Sequence, residues 1–529
     1  MAQVQTTSIK SPLLGSGFLG ITISQCFGAF NDNAFRFLIV FALGTEHADD
    51  TAKYAQIVTL TGILLVLPFL LFSSFAGQIS DRYSKRSVCL WSKVAELVLM
   101  VAGLFAFRWS DPMVFYALVF LMGTQSTFFS PAKYGLLAEM LPAEKLSKGN
   151  GVFEMMHYLC IIFGMGFVVI FIAYLPSLTD ESLTRPDQFW PASTVLIIFA
   201  LIGTLAVKGI PFLPAASPDR ELMGNPVREL LANFRIIYQS RLLWFTVLGI
   251  AFFWFVGPLL QSTILLYQSV WPELENAQGY LVLTVSIGIG LGSVCAGLLS
   301  GGKVELGLVP IGSVGMFVGC FMVSFLEDSY LGTFVWLGVS SVCAGFFIVP
   351  LNSLLQYAAP PDKKGGIIAC SNFLSFTFMI IAQLVYYLLS TKIDPPTMFA
   401  FIGFVLLLAS VYIVWLLPDV LVRFVLWVAT HSLYRIRVSG RIHIPQDGAA
   451  LIVSNHVSWV DGILIQAAVD RPIRFLVESG YAHLPVLSQL ARLMKIIPIS
   501  SRSGPKEMLK AVRTARDALA AGELVCVFA

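Results

Sequence analysis

The stretch from Asn455 to Asp461, NHVSWVD, sets an imidazole and a carboxylate five residues apart behind an asparagine. A histidine whose far ring nitrogen is held by a carboxylate can take a proton from a hydroxyl and make it a nucleophile. The carboxylate fixes the tautomer and stabilises the imidazolium. A lone histidine in a turn is most often structural, but here the run AALIVS leads into it as a buried strand, and strand ends are where α/β scaffolds carry catalytic groups. His456 and Asp461 are the catalytic candidates, with Asn455 beside them as a substrate contact.

A second set lies in apolar surroundings. FNDNAFR, from Phe30 to Arg36, sits in the middle of the first apolar run and puts Asp32 and Arg36 on one helix face. Ionisable groups at that depth are costly and mark a functional site by default; the other reading is a pair formed for packing. Glu154 and His157, three apart near the start of the fifth apolar run, are a further substrate-binding candidate, although Glu154 can equally sit at the membrane surface. Eight scattered cysteines show no metal-ligand or redox spacing and read as small buried hydrophobes, so no metal site is expected.

What positions these residues follows from composition. The chain of 529 residues is 57% hydrophobic and 12% charged, against roughly 25% charged in soluble domains, which makes it a polytopic membrane protein. A net charge of +3 without a basic arm excludes a nucleic-acid partner. Apolar runs of about twenty residues fall at Gly17–Leu43, Ala55–Phe75, Val88–Phe107, Met113–Phe129, Gly151–Tyr174 and Ala192–Val207. They resume at Leu243–Tyr267, Tyr280–Leu299, Val309–Leu326, Leu331–Val349, Ile367–Leu389 and Met398–Leu417. Basic residues crowd the loops after the even-numbered runs and the linker near 208–241, among them Lys85, Arg86, Lys133, Lys145 and Lys208. The positive-inside rule then places both ends of this all-α domain, residues 1–417, in the cytoplasm.

Residues 418–440 hold an apolar stretch too short to span and broken by Arg423, which reads as an interfacial helix with Arg435 and Arg437 near headgroups. From 441 the style changes to an α/β pattern: strands at Ala450–Val453, Ile473–Val477, Ile496–Ile499 and Leu524–Phe528, helices at Pro485–Leu493 and Lys506–Ala520.

The membrane part is internally repeated, Pro131, Leu136, Pro142 and Lys145 falling on Pro350, Leu355, Pro361 and Lys364 at one constant offset. Gly77, Asp81, Arg82, Lys85 and Arg86 resemble the loop signature of the major facilitator superfamily, with Ser84 where that family usually has glycine. The resemblance implies twelve spans in a six-plus-six arrangement and a charged latch that pairs in one conformation and parts in another.

Asn455, His456 and Asp461 resemble the first motif of the glycerolipid acyltransferases, where such a pair activates a glycerol hydroxyl against an acyl thioester. KIIPISSR resembles that family's second motif, with Lys495 where a glycine is usual and an extra serine before Arg502. Arg502 is then the implied phosphate contact, with Arg474 or Lys506 able to substitute. In that family a strand like Leu524–Phe528 runs into a Glu-Gly motif, so the resemblance implies a partial α/β acyltransferase domain in a chain that continues.

Together the two halves resemble bacterial fusions of a lysophospholipid transporter with a 2-acylglycerophosphoethanolamine acyltransferase. What that implies is inward movement of lysophosphatidylethanolamine across the inner membrane and its re-acylation at the cytoplasmic face. The implied donor is a thioester of acyl-carrier protein or coenzyme A, with no bound cofactor; the implied partners are lysophospholipid, membrane lipid and acyl-carrier protein. Two other readings stay open: a transporter of another amphipathic solute with an inert tail, and an acyltransferase whose membrane domain is only an anchor.

Overall fold

The computed structural model describes residues 15–528 apart from 45–50, 180–185, 221, 223–224, 266, 272, 275–276, 301–303, 327, 391, 435, 441–442, 446–447, 459, 470, 479–493 and 500–504. The chain divides into two compact units, Met1–Glu305 with Ile311–Ser410, and Val411–Ala529 with Leu306–Pro310.

The first unit is helical. Its first half comprises α1 (Ser16–Gly44), α2 (Thr51–Arg82), α3 (Lys85–Trp109), α4 (Pro112–Met140), α5 (Ala143–Thr179) and α6 (Trp190–Val207). A linker helix, α7 (Pro226–Gln239), leads to α8 (Arg241–Leu265), the short α9 (Tyr267–Val270), α10 (Ala277–Leu299), α11 (Leu308–Val323), α12 (Tyr330–Ala358), α13 (Lys364–Ser390) and α14 (Pro395–Leu416). Among the described residues eleven of these are long and apolar enough to cross a membrane, and α11, the counterpart of the expected run Val309–Leu326, is a shorter apolar helix of 16 residues.

Helix starts follow local chemistry. Asp111 caps α4 by accepting from the Met113 N–H with Pro112 at the first position, and Asn225 caps α7 ahead of Pro226 in the same way. The two prolines aligned by the repeat, Pro131 and Pro350, lie inside α4 and α12, so corresponding helices of the two halves each continue through a proline.

Contact between the halves rests on small residues, because lipid supplies no hydrophobic drive and close backbone packing must replace it. A Cβ on Gly151 of α5 would lie 2.3 Å from the Ser293 carbonyl oxygen of α10, and one turn away Ser147 and Ser300 share a 2.6 Å hydrogen bond. Several helices run past their apolar stretches. Lys133, expected in a loop as a topological charge, lies on α4 and is 9% exposed, and Lys85, Lys145 and Lys148 are likewise helical. A backbone that continues as helix satisfies its own hydrogen bonds wherever the hydropathy falls.

In the second unit α15 (Pro418–Leu433) includes Arg423, whose guanidinium pairs with Asp419 one turn earlier. The strands are β1 (Ala450–Ser454), β2 (Ile473–Glu478), β3 (Ile497–Ile499) and β4 (Leu524–Phe528), in the order β1-β4-β2-β3 and all parallel. Helices α16 (Asp461–Ala468) and α17 (Pro505–Ala520) supply crossovers. The expected helix Pro485–Leu493 lies outside the described residues. Ile473, Phe475, Leu524 and Cys526 form the core, with Ile452 and Ile465 against it. Ser454 pairs with Phe528, so β1 and β4 end together, and the polar turn after β1 opens at the carboxyl end of the sheet, where parallel sheets bind ligands.

Candidate functional site

Asp461 is the first residue of α16, and its Oδ2 accepts from three donors: the Val457 N–H at 2.7 Å, the Ser458 N–H at 2.8 Å and His456 Nδ1 at 3.2 Å. The Ser458 and then the Val457 amide hold its carboxyl below the usual carboxylate range. An ionised carboxylate only accepts, so the His456 proton sits on Nδ1 and Nε2 is left as the base. The ring lies 4.6 Å from that of Phe528, which stacks in turn on Phe475, and the His456 side chain is 51% exposed.

Around this turn, Asn455 is exposed and Lys506 stands in the first turn of α17. Arg502 lies outside the described residues. Arg474 is paired with Glu523 (2.8 Å) and opposes Val525, whereas the histidine turn follows Ser454, which opposes Phe528. Arg474 therefore sits towards the opposite end of the sheet, and its role as a substitute phosphate ligand is withdrawn.

The first unit encloses a cavity of ≈ 190 Å³ lined by both halves. Asp32, Glu154 and His157 all reach it; Arg36 does not, and among the described residues no ion pair joins Arg36 to Asp32. The two residues share a helix, but at the fourth position Arg36 lies one turn beyond the cavity wall.

Among the lining residues that the sequence reading did not assign to the site are Lys93, Lys133, Gln125 and Asn352. Lys133 Nζ donates to Gln25 Oε1 (2.8 Å), which turns Gln25 Nε2 toward His157 Nδ1 (2.5 Å). Glu154 Oε1 accepts from Tyr134 OH (3.0 Å) and from Asn352 Nδ2 of the second half (3.2 Å). Lys93 pairs with Glu96 (2.6 Å), whose other oxygen accepts from Asn31 (2.9 Å). All four charged residues lining the cavity, Asp32, Lys93, Lys133 and Glu154, come from the first half; the second contributes amides, hydroxyls and apolar groups such as Trp254 and Phe376.

The latch residues separate into two groups. Asp81 is fully buried and accepts from the Gly365 N–H (2.6 Å) and the Gly366 N–H (2.9 Å) at the start of α13, and from Arg220 (3.0 Å). A helix N-terminus is a favourable seat for a carboxylate. Arg220 also reaches Glu229 on the linker helix, and Ser217 bonds to Asp362. Gly77 allows the approach, since a Cβ there would lie 2.9 Å from the Ala369 Cβ. The basic members face elsewhere: Lys85 pairs with Glu139, Arg86 donates to the Lys208 carbonyl, and Arg82 lies over the Tyr83 ring.

Two repeated helical halves closing on a polar central cavity, with a carboxylate latch between them, define a secondary transporter of the facilitator class. Residues 21–382 match the Major Facilitator Superfamily, and the chain belongs to that superfamily. Residues 435–529 match the Acyltransferase family, so a transporter-type domain and an acyltransferase-type domain share one chain. The chain is 28% identical to the lysophospholipid transporter LplT of Photorhabdus laumondii subsp. laumondii over 77% of its own length and 96% of that protein. It is 28% identical to LplT of Klebsiella pneumoniae subsp. pneumoniae over 74% and 93%. Among solved structures, the facilitator transporter FucP in its outward conformation matches 75% of the chain with a TM-score of 0.59 at 11% identity. The proton:xylose symporter XylE matches 76% with a TM-score of 0.57 at 15% identity. These two likenesses concern the fold.

Proposed function

We propose that this protein carries lysophospholipid, lysophosphatidylethanolamine in the first place, inward across a bacterial inner membrane and re-acylates it at the cytoplasmic face. The observation that carries the reading is the joining, in one chain, of a facilitator domain similar to lysophospholipid transporters with an acyltransferase-type domain that ends a strand in a histidine–carboxylate turn. A cavity of ≈ 190 Å³ is below the roughly 300–1,000 Å³ of sites that swallow a drug-sized ligand, and fits a headgroup whose acyl chain lies outside it. Lys133, with donors to spare after Gln25, suits the phosphate.

In the acyl transfer, His456 Nε2 takes the proton of the free glycerol hydroxyl as that oxygen attacks the thioester carbonyl. The tetrahedral intermediate collapses with loss of the thiolate, which receives the proton from His456 as the ester forms. The donor is a carrier-protein or coenzyme A thioester, and Asn455 and Arg502 contact the lipid. The basic loops favour a cytoplasmic acyltransferase domain.

The test is made in proteoliposomes with labelled lysolipid. Asp32→Ala is expected to reduce inward movement at least tenfold while acylation of lysolipid supplied on the acyltransferase side continues. His456→Ala should have the opposite pattern. Unchanged movement in Asp32→Ala would sink the cavity assignment.

A further inference from the structure

Helix α7 has its polarity reversed for a helix lying in water. Its inward face, which packs on α2, α8 and α13, carries the polar pair Glu229 and Asn233, both buried, beside Ile237. The opposite face carries an apolar ridge of Val227, Leu231 and Tyr238, 60%, 62% and 71% exposed, with the exposed Arg228 and Arg235 along one flank. A solvated surface helix is built the other way, polar side out and apolar side in. An apolar ridge edged by arginines is the pattern of a helix seated on a bilayer, its ridge at the acyl boundary and its guanidinium groups among headgroup phosphates. The depth of α7 is set at its C-terminal end, where Tyr238 packs edge-on against Trp244 (5.5 Å) and Arg241 lies over Phe245 (5.7 Å), at the start of the membrane-spanning α8. Aromatic and basic side chains gathered at the start of a span mark the headgroup level.

The inward face reaches the latch. Glu229 pairs with Arg220, which also holds Asp81. Glu229 accepts from Asn233 Nδ2 (3.1 Å) as well, and that amide nitrogen would lie 2.8 Å from a Cβ on Gly366, at the start of α13. Phe234 adds an edge-on contact with Phe373 of α13 (6.5 Å). Helix α7 is therefore matched on both faces when α13 stays on α2 and a leaflet covers the ridge.

We propose that the outer face of α7 docks on anionic phospholipid of the leaflet at that end of the helices, and that docking favours the latched conformation. The arginines select the occupant. Zwitterionic headgroups offer them no net charge, whereas an anionic leaflet attracts each basic side chain near its surface by a factor of about five. A leaflet that binds the latched form better than the parted one shifts the equilibrium towards the latched form. Such control of closure is independent of what the cavity carries.

The test uses the full chain in bilayer discs of phosphatidylcholine, alone or with phosphatidylglycerol added. Docking is read by peptide-resolved labelling of Leu231→Cys with a water-soluble maleimide. The latch is read by crosslinking of Ser130→Cys with Asn372→Cys, since the native pair is hydrogen-bonded across the halves (2.9 Å). Phosphatidylglycerol is expected to slow the labelling about fivefold and to speed the crosslinking several-fold. Both effects should vanish when Arg228→Gln and Arg235→Gln are combined, and should persist in Arg228→Lys with Arg235→Lys, which keeps the charge. In phosphatidylcholine alone the variants should match the parent, which shows that the glutamines leave the fold intact. Equal protection of Leu231→Cys in both discs would mean that another protein surface covers the ridge, and equal exposure that water does. Either result overturns the inference, as does crosslinking that ignores lipid charge.

Discussion

Single residues carry the strain and the polarity of this protein. Lys495, in the turn before β3, has φ = +50°, a left-handed conformation that costs a side chain with a Cβ roughly 1 kcal/mol and costs glycine nothing. The glycerolipid acyltransferase resemblance expected glycine at this place, and the backbone supplies the reason. Lys495→Gly should therefore stabilise the sheet by about 1 kcal/mol, a factor of roughly five in the population of its opened form. Cys526 of β4 reports that opening: it is buried, its thiol is pushed up to about 11, and it reacts only when exposed. Peptide-resolved alkylation of Cys526 under native conditions should slow about fivefold in Lys495→Gly; unchanged alkylation would show that the turn does not limit opening. The His456–Asp461 contact was legible from its spacing because the two residues belong to one turn. Lys93 and Glu96 were not, since opposite charges three residues apart on a helix leave the net charge of their run unchanged and read as an ordinary local pair. Gln125 was equally silent: nothing in the sequence shows that its amide donates to Ser126, which in turn donates to Asp32.

At the scale of elements, the latch depends on the approach of α2 to α13. Asp81 was legible in its loop signature, but its partner Arg220 lies 139 residues away, and the backbone N–H groups of Gly365 and Gly366 have no sequence signature as donors to a carboxylate. Helix ends were the least legible feature. Hydropathy placed Lys133 in a loop, whereas α4 carries it to the cavity, because a helix goes on satisfying its backbone beyond the apolar stretch. The repeat did align Pro131 with Pro350, and the two prolines lie inside corresponding helices of the two halves. Gly77→Val should force α2 from α13, since its Cβ would already meet the Ala369 Cβ at 2.9 Å, and the added methyls cannot be absorbed between two helices. The expected result is a shift of the conformational equilibrium away from the latched state. Ser130 and Asn372, hydrogen-bonded at 2.9 Å across the halves, report it. Cysteines placed at those two positions should crosslink readily in the parent and several-fold more slowly in Gly77→Val. Equal rates would mean that closure does not depend on the glycine contact.

For the whole molecule, two compact units with separate cores should respond to mutation independently, since substitutions without shared contacts add. Under the proposed cycle, a chain carrying Asp32→Ala and a chain carrying His456→Ala each lose one step, and reconstituting both in one vesicle should restore the sequence of movement and acylation. The lysolipid passes between them by diffusion in the bilayer, so the restored rate depends on how many chains share a given area of membrane. In the wild type the second site travels with the first, and its effective concentration is set by the connecting segment instead of by the surface density. Diluting the reconstituted mixture tenfold with lipid should lower the coupled rate of the mutant pair several-fold while the rate per wild-type chain stays constant. Were both to fall equally, covalent joining would add nothing to the handover, and the two domains would be working as separate proteins that happen to share a backbone.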